Sequence, residues 1–204
     1  MRCGTAGERK IKTAASPLLF TVFVAFAPQA LYTCHCNEIG WEDNIPLRRH
    51  DREISGLHNI LAVLEDCETL RLGLCLENNP YIVPMNFAYE VVDEKVFIYL
   101  HCASEGKKLD IIARNSNACF EADCSYKISK DKTACGWSAE FRSVMGEGTV
   151  LTLTDTAKKA AALDMLMKRH GFEGQPQYSE HALSAVTVLQ ISVTSMTGKS
   201  GTVS

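Results

Sequence analysis

Gly106, Lys107 and Lys108 stand where a strand hands over to a helix, and that is the first place in the chain where chemistry is legible. Val96-Phe-Ile-Tyr-Leu-His-Cys102 is apolar and β-prone, the composition of a buried strand. Leu109 and Ile112 then recur at helical spacing, the start of an amphipathic helix over Glu105 to Ala113. A turn that opens a helix points unpaired backbone N–H groups outward and carries the positive end of the helix dipole. Two lysines in that turn make a site for a phosphate. Ser104 is placed to cap the helix, and Gly106 lets the backbone approach a ligand closely. The competing reading is that the lysines are solvated charge, since a cation at a helix start opposes the dipole. Neither G-x-x-x-x-G-K-[ST] nor G-x-G-x-x-G occurs, so a phosphate held here belongs to another scaffold.

His101 closes the strand that leads into this turn. Histidine ordinarily titrates near neutrality, so it is able to hand a proton to a reduced substrate. The alternative role is a hydrogen-bonding residue at a strand end. Glu140 and Arg142 flank Phe141 and read as a solvent-face ion pair. Cys34-His35-Cys36 has no second ligand pair at zinc-site spacing, so no metal site is assigned.

The elements that must position these residues follow from periodicity. Asp51 is a candidate cap for a helix carrying Ile54, Leu57, Ile60, Leu61 and Leu64 on one face. Strands are expected at Thr69 to Glu77, Tyr81 to Glu90, Val96 to Cys102, Ala118 to Asp123, Ser138 to Thr154 and Ala185 to Ser195. Pro84 implies an edge, a bulge or a site in the second of these, and Gly146 and Gly148 imply bulges in the fifth. A helix over Thr156 to Arg169 is stopped by Gly171. About six strands with peripheral helices predict a mainly β protein built on a small antiparallel barrel.

Composition narrows the class further. The 204 residues are 46% hydrophobic and 22% charged, with a net charge of −3, which does not suit a general nucleic-acid binder. The nine cysteines form no C-x-x-C pair. Cys67, Cys75, Cys102, Cys119 and Cys124 lie in or beside apolar runs, and we read them as reduced thiols of a cytoplasmic protein. Residues 1–46 form an N-terminal extension, disordered or weakly ordered, ahead of the folded domain at 47–204. Arg2, Arg9, Lys10 and Lys12 precede an uncharged run at 13–37 with a cleavage-like Ala27-Pro28-Gln29-Ala30, so export or membrane tethering through that run is the alternative. A third origin for the extension is an upstream start codon. No membrane partner is expected unless that segment is a working signal.

Three segments carry a resemblance: Pro80-Tyr-Ile-Val-Pro-Met-Asn-Phe87, then His101 with Glu105-Gly-Lys-Lys-Leu-Asp110, then Phe141-Arg-Ser-Val-Met-Gly-Glu-Gly148. In this order and spacing the chain resembles the flavin-binding split-barrel family related to pyridoxamine 5′-phosphate oxidase, and within it the nitroimidazole-resistance (Nim-type) branch. The likeness covers about Leu47 to Lys199. It implies an antiparallel split β-barrel, a homodimer, and FMN bound at the subunit interface. On that resemblance Val83, Pro84, Met85 and Asn86 line the flavin, with His101 beside it as the catalytic candidate. Lys107, with Lys108, holds the phosphate. Ser143 takes the position of a flavin-contacting polar residue that is glutamine in the oxidase. The tail Ile191 to Lys199 has neither the arginine nor the tryptophan of the oxidase, which argues against vitamin B6 oxidation. The implied activity is reduction of small electron-poor aromatics such as nitro compounds, with a reduced nicotinamide or another donor. The alternatives are a non-catalytic flavin-binding or sensing module, and a split barrel that binds haem or a deazaflavin. The lysine pair favours a phosphorylated flavin over haem.

Overall fold

The structure, a computed structural model, describes residues 49–201. The extension at 1–46, its signal-like run and Cys34-His35-Cys36 lie outside the described residues. After a 3-10 turn at His50–Arg52 the elements run β1 (Glu53–Ile54), α1 (Leu57–Asp66), β2 (Leu70–Leu76), β3 (Asn79–Met85), β4 (Phe87–Val92) and β5 (Lys95–Ala103). Then come α2 (Lys107–Arg114), β6 (Asn117–Ser129), a 3-10 turn at Ala134–Gly136, β7 (Ser138–Thr152), α3 (Thr156–Arg169), α4 (Glu180–Ala185) and β8 (Val186–Gly201). Among the described residues no helix is long and apolar enough to cross a membrane.

Eight strands form one antiparallel sheet in the order β3-β2-β6-β7-β8-β5-β4, with the short β1 added to β8. The sheet is curled but not closed by hydrogen bonds. Its two terminal strands, β3 and β4, are consecutive in the chain and separated only by Asn86. Alternation explains the curl. Leu70, Leu72 and Leu74 of β2 point inward with Ile98 and Leu100 of β5, Phe120 and Ala122 of β6, and Leu189 and Ile191 of β8. Ile60, Val63 and Leu64 of α1 join the same core, as do Ile111 and Ile112 of α2. Gly146 has to be glycine for close packing: a Cβ there would lie 2.3 Å from Phe120 Cζ and 2.8 Å from the Ser195 carbonyl oxygen.

The mainly β, split-barrel expectation is met, while several local expectations are not. Among the described residues there are eight strands, not about six, because β1 is too short to show a period and the Tyr81 to Glu90 run is two strands. Asn86 breaks that run so that β3 pairs with β2 and β4 with β5, at opposite ends of the sheet. Pro80 and Pro84 sit on β3, an edge strand, where a missing N–H costs no ladder bond on the open side. The sheet extends β6 to Ser129 and β8 to Gly201, beyond the runs that alternate, because pairing with β7 supplies their hydrogen bonds. Of the two glycine bulges, one register shift is seen, between Glu147 and Gly148. Asp51 does not cap α1; it accepts from Arg49 at 2.6 and 2.8 Å, and Gly56 stands at the cap position. Ile54 pairs in β1 with Gly198 and precedes the helix. Gly171, at φ +85°, ends α3 as expected, with its N–H bonded to the Lys168 carbonyl and that of Phe172 to the Met167 carbonyl.

Arg169, the last residue of α3, ties the helical layer to the sheet. Its guanidinium donates to the carbonyls of Leu64, Glu65 and Cys67 at 2.7, 3.0 and 2.9 Å and to Glu65 Oε2 at 2.7 Å. These are carbonyls at and just past the end of α1, where the helix runs out of donors of its own; the Leu64 carbonyl also accepts from the Cys67 N–H at 3.2 Å. Its side chain is 11% exposed and lies over the rings of Phe87 and Tyr89, 4.4 and 5.6 Å from their centroids. Arg169→Ala should therefore destabilise the fold by about 2–4 kcal/mol, since it strands buried acceptors of a charged donor. A lowered urea midpoint with an unchanged m-value is the expected reading. A midpoint equal to wild type would show that water replaces the guanidinium without cost.

Candidate functional site

The bend at Asn86 and the end of β5 together make a cleft. Val83, Pro84, Met85 and Asn86 form one wall, His101 and Cys102 the floor, and Lys108 of α2 the far side, enclosing about 260 Å³. Residues separated by about twenty positions meet here because β4 and β5 form a hairpin, which returns the end of β5 to the point where β3 became β4. Within the ladder His101 is opposite Val188 and Cys102 opposite Thr187 of β8. Met85 is buried and roots the wall in the core, whereas Pro84, Asn86 and His101 are exposed and face outward.

The helix start supplies the cleft's positive charge. Gly106 occupies the cap position at φ +135°, and the space about it is open, so backbone conformation and not crowding calls for glycine. Ser104 does not cap the helix, because the chain reaches α2 through Gly106 with no side-chain cap bond. The first bonds back to Gly106 come from the N–H groups of Leu109 and Asp110, which leaves those of Lys107 and Lys108 without helical acceptors. Consecutive helical residues point about 100° apart, so the two lysines part company. Lys108 is half-buried in the cleft. Lys107 is exposed and leans the other way, its Nζ 4.9 Å from the centroid of the Tyr81 ring.

Seven sequence-predicted residues are thereby located. Val83, Pro84, Met85, Asn86, His101 and Lys108 share the cleft, and Lys107 stands at its margin. Ser143 is elsewhere: it lies on β7 between Asp123 and Lys199, away from the cleft of a single chain. Cys102 is the lining residue that sequence reasoning passed over as a small buried hydrophobe. Burial pushes its thiol above the ordinary cysteine range, and the Lys108 ammonium pulls it back down. The position next to His101 was the one available signal. A larger cavity of about 450 Å³ lies beside the other face of α2, with Leu109, Ile112 and Leu151 in its wall and the hydroxyls of Ser104, Thr152 and Thr187 nearby. Among the described residues no group of three or more metal-ligating side chains converges.

A split antiparallel barrel with a lysine-bearing helix start beside a one-sided cleft is the class of protein these features define, and comparison with known proteins gives the family. The family model described as pyridoxamine 5′-phosphate oxidase matches residues 58–200, and the chain belongs to that family. A solved structure of a candidate 5-nitroimidazole antibiotic resistance protein from Bacteroides thetaiotaomicron is 34% identical, with a TM-score of 0.63, over 72% of this chain and 86% of that one. The flavocytochrome Anf3 from Azotobacter vinelandii, 19% identical, shares the fold with a TM-score of 0.65 over 78% of this chain and 73% of its own. So does an FAD- and haem-binding protein from Mycobacterium smegmatis, 17% identical, with a TM-score of 0.65 over 74% of this chain and 73% of its own. No curated protein matches.

The electrostatic contact between Lys108 and Cys102 is directly measurable. Removing the ammonium in Lys108→Ala leaves burial unopposed, so less of the thiol is ionised at mildly alkaline pH. Alkylation of Cys102 by iodoacetamide, followed by peptide mass, should slow about 3-fold or more. An unchanged rate would place the Lys108 ammonium outside the cleft.

Proposed function

We propose that this chain is an FMN-dependent oxidoreductase whose natural work is the reduction of small electron-poor aromatics such as nitro compounds. The observation that carries the reading is the single cleft that gathers Val83 to Asn86, His101 and Lys108. Its chemistry suits the parts of FMN. The half-buried Lys108 and the unpaired N–H groups of the first turn of α2 suit a dianionic phosphate. The apolar edge at Val83 to Met85 suits a flat ring, and the Asn86 amide offers both a donor and two acceptor lone pairs. A bound flavin would supply the electron transfer, and the protein supplies binding, orientation and protons. His101, exposed on the cleft floor, is the group placed to deliver a proton to a reduced substrate.

A cleft of about 260 Å³ is smaller than the ~300–1,000 Å³ of typical ligand sites, so one chain provides part of the wall. We assign the rest to a second copy, in a homodimer with the flavin between the subunits. Ser143 takes part at the flavin only through such an arrangement. The electron donor would be a reduced nicotinamide. The likeness to a nitroimidazole-resistance protein supports the substrate class, and the cavity beside the other face of α2 favours a dinucleotide flavin as the second reading.

The visible spectrum of the purified protein tests this. Flavin absorption that bleaches with NADPH and returns on adding a nitroaromatic is the expected result, and a haem Soret band without flavin bands would overturn it. Bands that bleach and do not return with any nitroaromatic would leave a flavin-binding module. The mass of the flavin released on denaturation separates FMN from the dinucleotide.

Two substitutions probe the residue roles. Lys108→Ala should weaken FMN binding by about 1.5–3 kcal/mol while leaving riboflavin, which lacks the phosphate, almost unaffected. Lys107→Ala should cost less, and an equal loss of both flavins in either variant would argue against a phosphate contact. His101→Gln should retain flavin and lower turnover per bound flavin by about 10²–10⁴-fold. A variant with full flavin and full rate would remove His101 from the chemistry.

A further inference from the structure

Away from the cleft, two thiols converge where α1 ends. Cys67, the residue after α1, is 2% exposed and its thiol donates to the Val63 carbonyl at 3.2 Å. Cys124, on β6, points its sulfur at the same oxygen from 4.0 Å. One acceptor therefore locates both sulfurs. The backbone on either side is fastened by a single guanidinium. Arg142 does not pair with Glu140 across the solvent face; its Nη2 donates to Asp66 Oδ2 at 2.8 Å and to Ser125 Oγ at 3.0 Å. Asp66 precedes Cys67 and Ser125 follows Cys124. Ser125 itself has φ +59° and opens the register shift between Cys124 and Lys127. Arg169 holds the Cys67 carbonyl from the third side at 2.9 Å.

The two thiols differ in burial. Burial pushes the Cys67 thiol up to about 12, with Cys124, Asp123 and Glu121 adding to the shift, so it stays protonated. Such a thiol is a poor first nucleophile. Cys124 is half-buried and is the sulfur that a small oxidant reaches first.

We propose that Cys67 and Cys124 are a two-thiol redox site that closes to a disulfide when a peroxide reaches Cys124. The Cys124 sulfur, as thiolate, attacks a peroxide oxygen; the S–O bond forms, the O–O bond breaks, and the hydroxide released takes a proton to become water. The Cys67 sulfur then attacks the Cys124 sulfur, the S–S bond forms, and the S–O bond breaks. The departing hydroxide carries off the Cys67 proton as a second water. The thiols lose two electrons and the peroxide gains them.

The test uses the full-length protein, isolated reduced, treated with hydrogen peroxide, alkylated and digested. The expected product is a linked peptide pair holding Cys67 and Cys124, two hydrogens lighter than its parts and separated by dithiothreitol. The oxidised protein should melt about 5 °C or more above the reduced one, because the new bond constrains a long loop of the unfolded chain. Cys124→Ser should abolish both the linked pair and the melting shift. The proposal fails if wild-type Cys67 is recovered unlinked at peroxide levels that oxidise the exposed Cys75, Cys119 and Cys135. It also fails if the new bond maps to another pair, such as Cys75 with Cys119. Mapping on the wild type decides the matter even if the variant does not fold.

Discussion

A guanidinium withdrawn from water over two aromatic rings holds the helical layer of the described domain to its sheet. Arg169 is largely desolvated, which is costly for an ion unless its donors are all satisfied. Here three backbone carbonyls at the end of α1, the Glu65 carboxylate and the faces of Phe87 and Tyr89 meet that need. The same contacts bring α1, α3 and the start of β4 to one point. Burial pushes the Tyr89 phenol up to about 12. Because Phe87 directly follows Asn86, whatever fixes Phe87 also fixes the bend that makes the cleft wall.

The bend is the second consequence. A strand that leaves one end of a sheet and joins the other exposes backbone at the crossing, and Asn86 pairs with neither β2 nor β5. Exposed backbone beside an apolar edge and a positive helix start is the surface to which the proposed function assigns the flavin and its phosphate. The outer side of β3 continues that surface, with Ile82 69% exposed and Pro84 next to it. In the proposed homodimer, this is the side on which the second copy would complete the site.

The element types were legible in the sequence because their periods are local. Leu70, Leu72, Leu74 and Leu76 could only be a half-buried strand, and the α3 pattern closed by Gly171 could only be a helix with a left-handed stop. The strand-to-helix turn that carries Gly106 and the lysine pair was legible for the same reason: turn chemistry depends on neighbours in the chain. Arg169 was not legible. Its partners lie about a hundred positions upstream, and a cation at a helix C-terminus is ordinarily a solvated one.

Sequence alone thus determined the antiparallel split barrel, the helices α1, α2 and α3 and the glycine-lysine turn that opens α2, since these rest on alternation, helical spacing and glycine conformation within a few residues. Tertiary structure decided which lysine faces the cleft, that Cys102 shares it, that Ser143 lies outside it in one chain, and that Cys67 and Cys124 share one carbonyl. Each of those depends on helix rotation, strand register or a contact between distant segments. Register moves a side chain to the opposite face with a shift of one residue, and no local pattern encodes which distant strand will be its neighbour.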